Sequence, residues 1–237
     1  MKFDQTLIPC TFIKRYKRFL TDLSTENGGI ITAHCPNSGR MTGCIGGGYM
    51  ALVSESDNPA RKLKYTLEMT HNGKTWIVVN TNHANRFAYE SIQNGDIPEL
   101  ASLINLRREV KYGKSSRIDI LGEDADGRLT YIEVKSVTMT DDNGCFCFPD
   151  APTVRGRKHL MELRDMAEAG HRAVMLFIIL RQDGKGFRTA DFIDPEYSEL
   201  FEQVCAAGVE AYAYRADITP DEITLSGREK IIFNKRS

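Results

Sequence analysis

Residues 116–137 read SRIDILGEDADGRLTYIEVKSV, two alternating runs around a turn. Arg117 to Leu121 and Thr130 to Val137 alternate polar and apolar residues, the pattern of half-buried strands. Asp124-Ala125-Asp126-Gly127 between them is a turn sequence: Asp bonds its own backbone and Gly accepts angles closed to other residues. On the resulting hairpin Glu133 and Lys135 share one face while Ile132 and Val134 face the core. Asp119 lies opposite Ile118 and Ile120. A turn centred on Ala125 or Asp126 sets Asp119 across from residue 131 or 133, so the three polar side chains project together. A slip of one residue would send them to the other face.

Two carboxylates this close repel, and one has its pKa raised. A divalent cation resolves the conflict. Oxygens from Asp119 and Glu133, with the Val134 carbonyl, suit Mg²⁺, or Mn²⁺ in its place, because such ions take hard oxygen ligands and keep several waters. A cation held there activates a water and offsets charge on a phosphoryl oxygen. Lys135 beside it orients the water or stabilises phosphate charge. The reaction class is phosphodiester hydrolysis. The competing reading is a surface ion pair of Lys135 with Glu133 or Asp119 on a solvated sheet face.

Downstream, Thr153 to Ala169 has Leu160, Leu163, Met166 and Ala167 at helical spacing and stops at Gly170. Ala173 to Leu180 is a buried strand. Asp194 caps a helix that starts at Pro195, and Val209 to Tyr214 returns as a strand. With a helix over 84–94, this is an α/β domain with a mixed sheet. Upstream, short alternating runs (FIKRYKRFLTDL, GGIITAH, YMALVSE, KYTLEM, TWIVVN) are broken by Gly and Asn, and His71-Asn72-Gly73-Lys74 is a tight hairpin signal. About five strands in some 80 residues fit an OB-like barrel. The boundary falls between 1–83 and 84–237.

Charge divides at the same place. The 237 residues carry 31 Lys and Arg against 32 Asp and Glu, net -1. Residues 1–83 hold ten basic and six acidic groups, a net of +4, which leaves -5 for the rest. A polycation and an acidic disordered chain are excluded, but local phosphate binding is not. The longest apolar stretch, AVMLFIIL at 173–180, is too short for a membrane, which needs about 20 residues. The N-terminus lacks a signal-peptide pattern, and the six cysteines show no disulfide spacing. They read as reduced thiols of a cytoplasmic protein.

Basic clusters nominate the DNA contacts. Lys14, Arg15, Lys17 and Arg18 alternate with Phe12, Tyr16 and Phe19, which suits a barrel strand that grips nucleic acid by charge; Phe12 and Phe19 themselves read as core. Arg155, Arg157, Lys158 and His159 crowd a helix start, where the dipole disfavours cations unless a phosphate sits there too. Arg40 lies in the polar loop HCPNSGR, residues 34–40, and is a further phosphate contact. His34 and Cys35 are adjacent on an extended chain and point apart, so they make a poor base–nucleophile pair. Cys145 and Cys147 lack obvious partners for a metal and read as buried thiols.

The D…ExK hairpin resembles the PD-(D/E)XK nuclease superfamily. Nearly end to end, the chain resembles the sugar fermentation stimulation protein family of bacteria and archaea. The resemblance is carried by residues 18–20 (RFL), 33–41 (AHCPNSGRM), 79–81 (VNT), 84–86 (ANR), 117–119 (RID), 133–135 (EVK), 148–151 (FPDA) and 155–160 (RGRKHL). It implies an OB-like barrel joined to a restriction-endonuclease-like domain. It also implies DNA binding without strong sequence specificity and a proposed regulatory role in sugar metabolism, maltose in particular. In the superfamily an acidic residue on the helix before the hairpin often joins the metal site, and Glu90 is the matching residue here.

Overall fold

A computed structural model describes residues 1–112 and 116–233. The N-terminal unit is built from β1 (Ile8–Tyr16), β2 (Leu20–Thr25), β3 (Ile30–His34), β4 (Met50–Glu55), β5 (Tyr65–His71) and β6 (Trp76–Val78). The strand order is β3-β2-β1-β4-β5-β6, and β3 also pairs with β5 in parallel. That last pairing closes the first five strands into an OB-like barrel. Its interior holds Phe12, Leu23, Ala33, Val53, Leu67 and Ile77, the inward-facing set of the alternating runs. The run from Phe12 to Leu23, expected as one strand, is a hairpin. Lys17 and Arg18 adopt φ of 47° and 64°, the left-handed pair a tight turn needs. The last run, TWIVVN, supplies β6, which lies outside the closed ring and pairs with β5 through the expected Asn72-Gly73 turn, Gly73 at φ 86°.

The second unit adds α1 (Asn82–Gln93), β7 (Ile104–Tyr112), β8 (Ser116–Glu123), β9 (Leu129–Val137), β10 (Met139–Thr140), β11 (Phe146–Phe148), α2 (Val154–Glu168), β12 (Arg172–Ile179), β13 (Phe187–Thr189), α3 (Pro195–Ala206), β14 (Glu210–Ile218) and β15 (Ile223–Glu229). The main sheet runs β15-β14-β12-β9-β8-β7. β12 is parallel to β9 and β14, and the flanking pairs are antiparallel. α1 covers one face of this sheet over Ile132, Val134, Val174 and Leu176. α2 and α3 cover the other over Met175, Phe177 and Ile179. The caps follow from sequence: Thr153 Oγ1 accepts from Gly156 N, and Asp194 Oδ1 accepts from Tyr197 N with Pro195 behind it. Edge strands β7 and β15 and the small β10-β11-β13 sheet lie outside the sequence expectation. They are short or charged, and edge strands carry the weakest periodicity.

Candidate metal and nucleic-acid site

The β8–β9 hairpin has the register its turn demands. Ile120 faces Ile132 and Leu121 faces Tyr131, which carries Asp119 to the level of Glu133. One detail differs from the expected alternation. Ile118 packs under α2 and Ile120 under α1, so the strand breaks at Asp119 rather than alternating through it. The break turns the Asp119 carboxylate across to the neighbouring strand. Its Oδ2 accepts from Val134 N at 2.8 Å and its Oδ1 from Asn85 Nδ2 of α1 at 2.8 Å. Glu133 is 2% exposed. Its Oε1 accepts from Lys135 Nζ at 2.6 Å and from the ring of His159 on α2. His159 Nδ1 also lies 3.2 Å from Lys135 Nζ. The Lys135–Glu133 ion pair therefore exists, but inside a cleft rather than on a solvated face.

The charges here are in tension. Burial, then the neighbouring Glu133 charge, pushes the Asp119 carboxyl up to about 6. Burial raises Glu133 too, yet Lys135 and His159 outweigh it and hold that carboxyl below the ordinary range. Glu133 Oε2 is buried and has no hydrogen-bond partner among the described residues. A buried anionic oxygen without a donor is costly unless something positive meets it. A second carboxylate, resisting ionisation next to it, makes the same demand. The donor set is oxygen only, and it fits a hard divalent cation held by Asp119 and Glu133.

These groups line a cavity of about 580 Å³. Its wall comes from both units. The barrel contributes Arg18, Asn37, Ser38 and Gly39, and the α/β unit contributes Arg108, Glu109, Asp150 and Arg155 besides the hairpin. The first turns of α1 (Thr81, Asn82, Asn85) and α2 (Thr153, Arg155) also open into it. Two helix N-termini and three arginines favour an anion at the rim, while two carboxylates at the floor favour a cation. The barrel loop is tied in place. Arg15 donates to Gly39 O at 2.8 Å and Asn37 O at 2.6 Å, and Asp150 Oδ2 accepts from Met41 N at 3.1 Å. A Cβ on Gly39 would meet Asp150 Oδ2 at 2.1 Å, so only glycine permits this approach.

Several expected site residues lie elsewhere or act differently. Glu90 is not brought to the hairpin; it pairs with Arg86 at 2.8 Å and with the N-terminal ammonium at 3.7 Å on another side of α1. Asn85 is the α1 residue that reaches Asp119. Arg157 turns away to the buried Asp194, at 2.8 Å and 3.0 Å, and to Glu196. It therefore braces the α2–α3 junction. Lys158 pairs with Glu162 at 3.5 Å on the outer face. Arg15 is engaged with the loop backbone, and Lys14 pairs with Asp22 at 3.7 Å. Arg18 and Arg155 line the cavity, whereas Lys17 and Arg40 are exposed and absent from its lining. Phe12 is core as expected, but Phe19 is 42% exposed beside the hairpin turn, because the chain reverses just before it.

Two residues at the cavity had weak or no sequence signal. His159, read from the sequence only as part of the basic cluster at the helix start, joins Glu133 and Lys135. Glu109 sits on β7, a strand without clear alternation. Cys35 is buried with its thiol against Met41 Sδ at 3.5 Å, while the His34 ring lies near Phe19, so these neighbours do not combine. Cys145 and Cys147 do have a neighbour: Asp141 brings an oxygen within 4.8 Å of their sulfurs. Its Oδ1, however, accepts from Asn143 N and Cys145 N in the turn. All six cysteines are free thiols. Among the described residues, no helix is long and apolar enough to cross a membrane.

An OB-like barrel followed by a mixed-sheet domain with a D…ExK hairpin defines a protein of restriction-endonuclease-like, PD-(D/E)XK fold. Family comparisons agree in both halves: residues 13–79 match the SfsA N-terminal OB domain and residues 82–222 the sugar fermentation stimulation protein RE domain. The chain belongs to the sugar fermentation stimulation protein family. It is 49% identical over 228 residues to the sugar fermentation stimulation protein homolog of Geotalea uraniireducens, covering 96% of this chain and 98% of that one. The homolog of Acidithiobacillus ferrooxidans is 46% identical over 227 residues, with the same coverage of both chains. Among solved structures, Pyrococcus furiosus SfsA in complex with Ca²⁺ superposes with a TM-score of 0.87 at 26% identity, over 98% of each chain.

Proposed function

We propose that this protein binds DNA across the cleft between barrel and sheet and hydrolyses a phosphodiester there with a divalent cation, Mg²⁺ or Mn²⁺. The observation that carries the reading is the convergence of Asp119, the unpartnered Glu133 Oε2 and Lys135 in a cavity rimmed by arginines and two helix N-termini. Ca²⁺ in the related archaeal structure supports a divalent ion. Asp119 and Glu133 would hold it, with the Val134 carbonyl beside them. The cation would supply compensation of phosphoryl charge and a more acidic water. Lys135 presents its ammonium to the phosphate oxygens from between Glu133 and His159. Arg18, Arg155 and the α2 N-terminus position the backbone, contacts that carry no sequence information and so fit weak specificity. A role in regulating sugar metabolism, maltose use included, would act through the DNA so bound. The free thiols fit a cytoplasmic setting.

One observation favours binding without turnover: the Lys135 ammonium is already paired with Glu133, with the His159 ring close beside it. Single-stranded, duplex and branched DNA incubated with wild type and Asp119→Asn in Mg²⁺ and Mn²⁺ separates the two readings. Products from wild type alone support hydrolysis. Intact substrates with salt-sensitive binding leave the binding reading, and absence of both refutes the proposal.

A further inference from the structure

We infer that Glu109 is a third carboxylate of the cation site, holding water around the ion bound by Asp119 and Glu133. The inference rests on the reading of that site given above and extends it to a residue on β7. Glu109 lines the same cavity as Asp119 and Glu133, and its charge is among those felt by Asp119. The β7–β8 ladder pairs Arg108 with Ile120 and Val110 with Ile118, but skips the step between them, which would set Glu109 opposite Asp119. At that step Glu109 has φ of 54°. β7 contains a second such residue, Asn105 at φ 52°, but asparagine tolerates the left-handed region and sits where the register shifts. Glutamate does not tolerate it well, and no bulge in the register accounts for it. A longer acidic side chain is thus kept where the backbone would favour glycine, next to the Asp119 break in the partner strand.

Charge gives the same answer. Among the described residues the Glu109 carboxylate makes no hydrogen bond or ion pair, although three arginines line its cavity. Arg108 instead lies over the Tyr89 ring, 5.7 Å from its centroid. Asp119 has both oxygens supplied with donors, from Asn85 and Val134. The carboxylate oxygens left without a donor in the cavity are the buried Glu133 Oε2, the pair on Glu109 and Oδ1 of Asp150, and Asp150 is tied to the barrel loop through Met41 N. The buried, unpartnered oxygen points to a cation. Glu109 is exposed and lines the same cavity, and a hydrated divalent ion keeps waters that such a carboxylate can hold.

The test is calorimetric titration of the metal-free protein with Mn²⁺ alone at pH 8, with melting temperatures before and after loading. Wild type, Glu109→Gln, Glu109→Gly and Asp119→Asn are compared. Asp119→Asn should bind no Mn²⁺. Both Glu109 variants should bind it about tenfold or more weakly, the range for groups that hold a metal's immediate surroundings. Without metal, Glu109→Gln should melt at or above the wild-type temperature, and Glu109→Gly should melt higher, because glycine suits the φ. A purely structural glutamate would give the reverse: lower metal-free melting temperatures and unchanged Mn²⁺ affinity. Wild-type affinity in both Glu109 variants, with Asp119→Asn inactive, overturns this inference and leaves the Asp119–Glu133 site intact. No Mn²⁺ uptake by wild type overturns both.

Discussion

Asp119→Asn should make the metal-free protein more stable while destroying its site. In the fold, burial and Glu133 raise the Asp119 carboxyl from 3.8 to about 6. The folded state therefore binds that proton more tightly than the unfolded state. Stability linked to this group is highest below about pH 4, falls as pH rises to about 6, and is flat above. A shift of about two pKa units corresponds to about 3 kcal/mol at most, at about 1.4 kcal/mol per unit. Asparagine removes this penalty and, like the neutral carboxyl, offers one acceptor oxygen to the donors Val134 N and Asn85. The net gain should be about 1–2 kcal/mol at pH 8 and should vanish near pH 4. Urea unfolding in EDTA at the two pH values measures it. With saturating Mg²⁺ the order reverses: wild type gains about 2.7 kcal/mol at 100 times its Kd, and the variant gains nothing. A variant less stable than wild type at pH 8 in EDTA, or equally stabilised by Mg²⁺, would show that Asp119 is neither strained by burial nor a cation ligand.

Other changes probe the frame around the site. Gly39→Ala drives a methyl into Asp150, so the barrel loop must shift; stability should drop by about 1–3 kcal/mol and DNA affinity should fall, as read by melting and fluorescence anisotropy. Arg157→Ala removes the charged partner of the buried Asp194, which keeps its bonds from Thr153 N and Tyr197 N, and should lose about 1–3 kcal/mol of stability with an unchanged salt slope of DNA binding. Arg155→Ala should do the opposite, lowering the slope by about 1 with little loss of stability. Glu68 is buried at the barrel–α1 junction, where Ser54, Asn80 and His83 hold its carboxyl below the ordinary range against the effect of burial. Its stabilisation is present above about pH 4.5 and is lost as pH falls through the lowered value, so Glu68→Gln should flatten acid unfolding there.

The hairpin that carries the chemistry was legible because its turn sets the register and the register sets the face. The barrel was legible in its alternating runs, apart from the reversal at Lys17-Arg18, where two bulky cations occupy turn positions that usually hold Asn or Gly. Glu90 has the residue type for the site but not the helix face. It lies five residues beyond Asn85, about 140° around the helix, so Asn85 facing Asp119 sends Glu90 elsewhere. Arg157 and Arg155 differ by two positions, about 200° apart on α2, and accordingly one braces α3 while the other faces the cavity. Glu109 was hidden because the edge strand LRREVK has no apolar alternation, and positive φ at a glutamate leaves no mark in sequence.

On the proposed function, cation and DNA phosphate meet at Asp119, Glu133 and Lys135. Anisotropy of a labelled DNA, titrated with wild type and Asp119→Asn in Ca²⁺ and in EDTA at fixed ionic strength, tests it most directly. Wild type should bind more tightly in Ca²⁺ than in EDTA, and Asp119→Asn should bind with the same affinity in both. A wild-type affinity indifferent to Ca²⁺, or a Ca²⁺ effect retained in the variant, would mean that cation and phosphate do not meet at this hairpin.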